Sequence, residues 1–166
     1  MILLKNYLKK ISHTLIEDEI STKLEVSNYL KIHNGPVFFN NIKNYPSWKI
    51  IGNICTSRKV FADILNVTPD KLLNTLSTAI NHPAQYSKVN DAGFLYNPIN
   101  ASNIIKNIPL VVFYPEKERY YSSASIFLAI DPETGRQNAS IHRMMYLGGN
   151  RFSVRIVPRD LFNIYK

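Results

Sequence analysis

Cysteine is nearly missing from this 166-residue chain: Cys55 stands alone. That excludes an intrachain disulfide and any cysteine-cluster zinc site, and it suits a reducing compartment. Long apolar runs are also missing. No stretch approaches a membrane span, and the apolar start at Ile2, Leu3 and Leu4 is too short for a signal-peptide core, so the expectation is a soluble chain working in the cytoplasm. There is no glycine-rich phosphate loop, serine-centred elbow or cysteine pair, which removes the common nucleotide-binding and hydrolase readings. His13, His33 and His82 each lack a second ligand three or four residues on, and surface roles are expected for them.

What is present is enough apolar material, 45% of residues, for one sizeable core or two small ones. The formal net charge of +8 makes phosphate groups, nucleic acid or acidic substrates attractive partners. The excess gathers near the end. Between residues 136 and 166 six basic side chains (Arg136, Arg143, Arg151, Arg155, Arg159 and Lys166) face one acid, Asp160. A soluble sheet face explains such a pattern as well as an anion site does.

Leu3, Leu4, Tyr7, Leu8 and Ile11 recur at helical spacing and predict an opening helix over 2–11. A short extended piece at Leu15–Ile16 follows. A second helix is expected over 22–32, with Val26, Tyr29, Leu30 and His33 on one face, ended by Asn34-Gly35-Pro36 with Gly35 as a left-handed cap. Strands are expected at 37–39 and 49–54 around an Asn44-Tyr45-Pro46-Ser47 turn, with Cys55 in the core. Ser57 is a candidate cap for a helix that buries Val60, Phe61, Ile64 and Leu65. Thr68-Pro69-Asp70 then reads as the start of another helix, which buries Leu72, Leu73, Leu76 and Ile80.

Periodicity fails over 81–106, where Pro83, Gly93 and Pro98 fall among Asn and Ser, so a long connection is expected. Strands are then predicted at 108–113, 122–130, 138–147 and 152–157. Asp131-Pro132-Glu133-Thr134-Gly135 makes one hairpin turn and Gly148-Gly149-Asn150 another, and the first turns of a helix follow. The fold class is therefore α+β: an α/β domain over 1–80, a connection over 81–107, and the first strands of an antiparallel barrel over 108–166, which reads as incomplete because it has open edges and an uncovered face.

Chemistry is concentrated in the late hairpin. Asn138, Ser140 and His142 alternate onto one strand face, and Arg143 falls on the other unless a bulge re-aims it. An Asn oxygen suits a hard cation, a Ser hydroxyl and backbone N–H groups suit a phosphate oxygen, and Arg clamps a phosphate or carboxylate. A hairpin with a merely polar outer face has the same alternation.

The run from Tyr120 to Phe162, with D-P-E-T-G at 131–135 and R-Q-N-A-S-I-H-R-M at 136–144, resembles the UbiD family of reversible decarboxylases. N-G-P-V-F-F-N-N-I-K at 34–43, G-N-I at 52–54, Ser57-Arg58 and Ile108-Pro109 also follow that family's order and approximate spacing. The resemblance implies a flavin-binding split β-barrel. It also implies prenylated FMN made by a flavin prenyltransferase, with Mn2+ and K+ joining its phosphate to protein. By the same resemblance Asn138 and Asp160 are metal ligands, and Ser123, Ser140, Ile141, His142, Arg143 and Arg159 contact the cofactor. Arg143 is the catalytic residue beside the reacting carboxylate. Two positions depart from the family: Asp160 replaces a metal-binding His, and Ser125 replaces a Gly.

The family's third metal ligand and paired catalytic glutamates would belong to sequence after Lys166. The resemblance thus implies the N-terminal part, or a split subunit, of a carboxy-lyase for an unsaturated or aromatic acid. It would be inactive until completed, as a homo-oligomer or with a second chain carrying the rest of the barrel. A non-catalytic binding or regulatory relative is the alternative, and a basic nucleic-acid-binding protein is the third reading.

Overall fold

The computed structural model describes residues 4–9, 11–85 and 101–166. Residues 1–3 and 10, in or next to the expected first helix, and 86–100, part of the expected connection, lie outside the described residues. Two compact units emerge. One comprises 1–19, 29–41 and 49–99, and the other 20–28, 42–48 and 100–166. The second unit thus reaches back into the first third of the chain for two short stretches. Backbone pairing draws them there: Ile20 bridges Ile42, Lys23 bridges Val112, and the Val112 N–H donates to the Thr22 carbonyl at 2.9 Å.

In the first unit a short helix, α1 (Leu4–Leu8), precedes a three-stranded sheet of β1 (Thr14–Ile16), β2 (Val37–Phe39) and β3 (Ile50–Gly52). β2 is central, parallel to β1 and antiparallel to β3. As the middle strand it buries Val37 and Phe39 completely, and Phe39 meets the Tyr29 ring edge-on. Helix α2 (Glu25–Ile32) starts three residues later than the periodicity predicts. Leu24 has φ of 70°, which no helix continues through, and the Glu25 carboxylate accepts the Ser21 N–H at 2.8 Å.

Gly35 is not the left-handed cap expected of it. The end of α2 is held instead from β3: Asn53, itself at φ 54°, donates its side-chain amide to the carbonyls of Leu30 at 2.7 Å and His33 at 2.8 Å. Those carbonyls belong to the helix end, where no intrahelical partner is available.

Two helices follow, α3 (Arg58–Leu65) and α4 (Leu72–Asn81). Ser57 has the extended backbone of an N-cap but makes no side-chain bond, and Asn66 closes α3 in the left-handed region. Thr68 to Lys71 form a turn, closed by the Lys71 N–H on the Thr68 carbonyl, so α4 begins beyond the expected Thr-Pro-Asp start. The apolar stripes also differ from expectation. Ala62 and Leu72 are buried, whereas Phe61, Ile64, Leu65, Leu73, Leu76 and Ile80 are exposed, and so is Cys55. Helical spacing reports which side chains share a face, and in this unit that face has no cover among the described residues.

The second unit has its core at Ile20, Val26, Ile42 and Leu110–Val112. After a 3-10 turn (Ala101–Asn103) and α5 (Ile104–Asn107) come β4 (Val111–Val112), β5 (Tyr120–Ile130), β6 (Gln137–Gly148) and β7 (Arg151–Val154), in that order across one antiparallel sheet, and then α6 (Asp160–Tyr165). The β5–β6 turn is fixed by the Asp131 carboxylate. It accepts the Thr134 hydroxyl at 2.7 Å and the N–H groups of Glu133 and Thr134, while Gly135 takes φ of 70°. The Thr134 hydroxyl, then the Glu133 N–H, hold the Asp131 carboxyl below its ordinary range.

Two expectations follow. Asn53→Gly keeps the left-handed backbone but removes both bonds to the end of α2, and should lower unfolding stability by about 2 kcal/mol in urea titration. For Asp131 the folded carboxyl titrates below the unfolded one, so its contribution is present above the unfolded carboxylate pKa and lost as pH falls through the folded one. Asp131→Ala should therefore be less stable than the natural chain at neutral pH, and the gap should close below about pH 4.

Candidate functional site

Strand β6 pairs β5 with Ile126 opposite Ile141, Phe127 opposite Ser140 and Ala129 opposite Asn138. The pairing shifts once, between Ser122 and Ser125, and the extra residue lies on β5. Two β5 residues, Ser123 and Ala124, oppose the single step between His142 and Met144. β6 itself continues without interruption from Gln137 to Tyr146, so its side chains alternate strictly.

The alternation sorts the residues singled out in the sequence. Asn138, Ser140 and His142 share one face with Phe127 and Ala129, all of them half-buried. Ile141 and Arg143 share the opposite face with Ile126 and Leu128, all exposed. No bulge on β6 re-aims Arg143. It lies over the Tyr121 ring, 5.6 Å from the centroid, an attraction between guanidinium and π-face that sequence spacing does not reveal. Ser123 sits exposed in the bulge, beside a hydroxyl pair formed by Ser122 and Ser125 at 2.6 Å.

On the half-buried face the hydrogen bonds have a defined direction. His142 Nδ1 lies 3.3 Å from the Arg155 carbonyl, which only accepts, so Nδ1 carries the proton. Nε2 then accepts, and the Ser140 hydroxyl donates to it at 2.9 Å. Phe127 closes on the imidazole edge-to-face, with centroids 5.0 Å apart. Asn138 differs: its Oδ1 is buried and has no hydrogen-bond partner. A buried amide oxygen without a partner is costly, and as a neutral hard donor it fits a cation.

Arg159 stands at the N-cap of α6, exposed and without a side-chain capping bond. Asp160 opens α6 and pairs with Arg136 at 3.7 Å, with both side chains largely in water, a contact worth little. Among the described residues no group of three His, Cys, Asp or Glu side chains could hold a metal ion. Among the described residues no helix is long and apolar enough to cross a membrane.

The profile of the 3-octaprenyl-4-hydroxybenzoate carboxy-lyase N-terminal domain matches residues 14–80, and that of the Rift-related domain of the same enzyme matches 75–166. The anhydromevalonate phosphate decarboxylase of Methanothermobacter thermautotrophicus is 33% identical over 162 residues, which cover 96% of this chain and 37% of that protein. The UbiD-class enzyme HmfF of Pelotomaculum thermopropionicum in complex with FMN superposes with a TM-score of 0.87 at 22% identity, over 98% of this chain and 38% of that one. An evolved dimeric form of HmfF with prFMN gives the same TM-score at 23% identity, over 98% and 40% of the two chains. The chain thus spans little more than a third of these relatives. The fold is that of the corresponding part of UbiD-class structures.

Removal of an unpartnered buried oxygen should cost the chain nothing. Asn138→Leu is expected to leave unfolding stability unchanged or raise it by up to about 1 kcal/mol, whereas Ser140→Ala, which deprives His142 of its donor, should lower it by about 1 kcal/mol. Chemical denaturation of the two variants checks both signs.

Proposed function

Because the chain belongs to the UbiD family of carboxy-lyases, we propose that it forms the N-terminal part, fused or separate, of a cytoplasmic decarboxylase for an unsaturated acid that also carries a phosphate ester. The observation that carries this reading is the unbroken match from residue 14 to residue 166, in family order. The relative of 33% identity is named for decarboxylation of such a phosphorylated acid, and a net charge of +8 suits a substrate with two anionic groups. Activity belongs to the completed protein, with prenylated FMN, made by a flavin prenyltransferase, as cofactor.

In this reading Asn138 Oδ1, buried and without a hydrogen-bond partner, would be a ligand to Mn2+, and Mn2+ and K+ would supply positive charge for the flavin phosphate. Asp160, held only by its weak pair with Arg136, would be a second ligand. Ser123, Ser140, Ile141, His142 and Arg159 contact the flavin and its phosphate. Arg143, steadied by Tyr121, orients the reacting carboxylate. When bound, the prenylated flavin supplies the electron sink that loss of carbon dioxide requires. This chain's own part is to bind phosphate, orient the carboxylate and exclude water.

A second reading, a non-catalytic UbiD-like module, is favoured by one observation: the Asp160 carboxylate is already engaged by Arg136. One experiment separates the two. The chain, completed with the remainder of a UbiD-class enzyme and loaded with prenylated FMN and Mn2+, should release carbon dioxide from anhydromevalonate phosphate. Arg143→Ala should reduce kcat at least about 100-fold. A completed protein that takes up neither flavin nor metal would support the non-catalytic module instead.

A further inference from the structure

Arg143 has a second arginine beside it. Across β6 and β7 Met145 stands opposite Ser153 and Met144 opposite Val154, so one step further Arg155 comes level with Arg143, on the same exposed face. The His142 imidazole holds it there, since Nδ1 donates to the Arg155 carbonyl at 3.3 Å. Like charges directly across a strand pair destabilise it, and no carboxylate of the sheet relieves these two. The four strands contain no Asp or Glu, and among the described residues neither arginine forms an ion pair.

The two side chains also diverge. Arg143 leans toward β5, over the Tyr121 ring at 5.6 Å, whereas Arg155 is rooted on the other side of β6, at the end of β7. Neighbouring strands lie about 4.8 Å apart, so two spacings, about 10 Å, separate the guanidinium over β5 from the backbone of Arg155. Tyr121 thus keeps Arg143 from sharing a single anion with Arg155. The result is a strip of exposed sheet with one cation at either edge, which suits a molecule that carries an anionic group at each end.

We propose that Arg155 is the specificity residue for the phosphate ester of the substrate, which it binds while Arg143 holds the carboxylate. The inference rests on the decarboxylase reading above, in which Arg143 orients the reacting carboxylate. A guanidinium takes phosphate through paired N–H donors. Discrimination is strong where the wrong substrate leaves a polar group of the site without its partner, and an acid lacking the phosphate leaves Arg155 unpaired beside a second cation. Arg151 is the natural comparison. It carries the same charge on the same exposed face, but it stands four residues back along the strand, about 13 Å from Arg155.

Two measurements test this. In the first the chain, without flavin or metal, is titrated with 4-phosphonobutanoate, a stable molecule with one carboxylate and one phosphonate, and the Nε–Hε resonances of its arginines are followed by NMR. Arg143 and Arg155 should shift along one binding curve and Arg151 should not. Arg155→Gln should weaken binding at least about tenfold, whereas Arg151→Gln, which removes the same charge, should weaken it less than about twofold. Arg155→Gln should also unfold in urea no earlier than the natural chain, because it relieves a repulsion. In the second, the completed enzyme loaded with prenylated FMN and Mn2+ is offered anhydromevalonate phosphate and the corresponding acid without phosphate. Arg155→Gln should lower the preference for the phosphorylated acid, as a ratio of kcat/KM values, at least about 30-fold, and Arg155→Lys should restore part of it.

A titration in which Arg155 does not respond, or in which all three arginines respond alike, overturns the proposal. So does an Arg155→Gln chain that unfolds early, since that gives the side chain a structural role. A completed enzyme whose preference survives Arg155→Gln overturns the proposal and leaves the decarboxylase reading standing. A completed enzyme that releases carbon dioxide from neither acid counts against the decarboxylase reading, and the titration then decides alone whether Arg155 takes the phosphorus-bearing group.

Discussion

Strict alternation along one strand governs the second unit. From Gln137 to Tyr146 β6 never loses its period of two, because the irregularity in its pairing with β5 is absorbed by Ser123 and Ala124 on the other strand. Had the extra residue fallen on β6, Arg143 would have turned to the face of Asn138 and His142. Where it falls, the two groups stay apart. The chemistry of the hairpin is thereby divided into a half-buried polar face, with its hydrogen bonds directed from Ser140 through His142 to the Arg155 carbonyl, and an exposed face of aliphatics and arginine.

Two polar groups of the second unit are only loosely engaged. Asn138 Oδ1 is buried without a hydrogen-bond partner, and Asp160 is paired only with a largely solvated Arg136. In the first unit α3 and α4 bury Ala62 and Leu72 and leave Phe61, Leu73 and Ile80 to water. By contrast, two side chains that hold the ends of elements are fully used. Asn53 satisfies two carbonyls at the end of α2, and Asp131 satisfies two N–H groups and a hydroxyl in its turn.

Much of this was legible in the sequence because it is local. The hairpin turn, the strand faces of β5 and β6 and the central strand at Val37–Phe39 follow from turn chemistry and alternation within a dozen residues. The family motif at 131–144 made the architecture recognisable, and the superposition on UbiD-class folds agrees with it. What spacing could not supply was the identity of the other side. Helical periodicity correctly grouped Phe61, Ile64 and Leu65 but implied burial that the described residues do not give. Hydropathy places Cys55 in a core, yet it stands in solvent. Long-range contacts were equally invisible. The grouping of 20–28 and 42–48 with the C-terminal unit depends on bridges to residues far along the chain. The pairing of Arg136 with Asp160 and the seat of Arg143 on Tyr121 depend on register, not on motif.

The lock at Asp131 has a kinetic consequence. β5 and β6 are consecutive, joined by a turn whose bonds all lie within six residues, so their pairing has low contact order and does not wait for distant sequence. The hairpin therefore presents its aliphatic side early in the life of the chain, during synthesis as well as after it. Aliphatic surface shown this early exposes a nascent chain to misassociation.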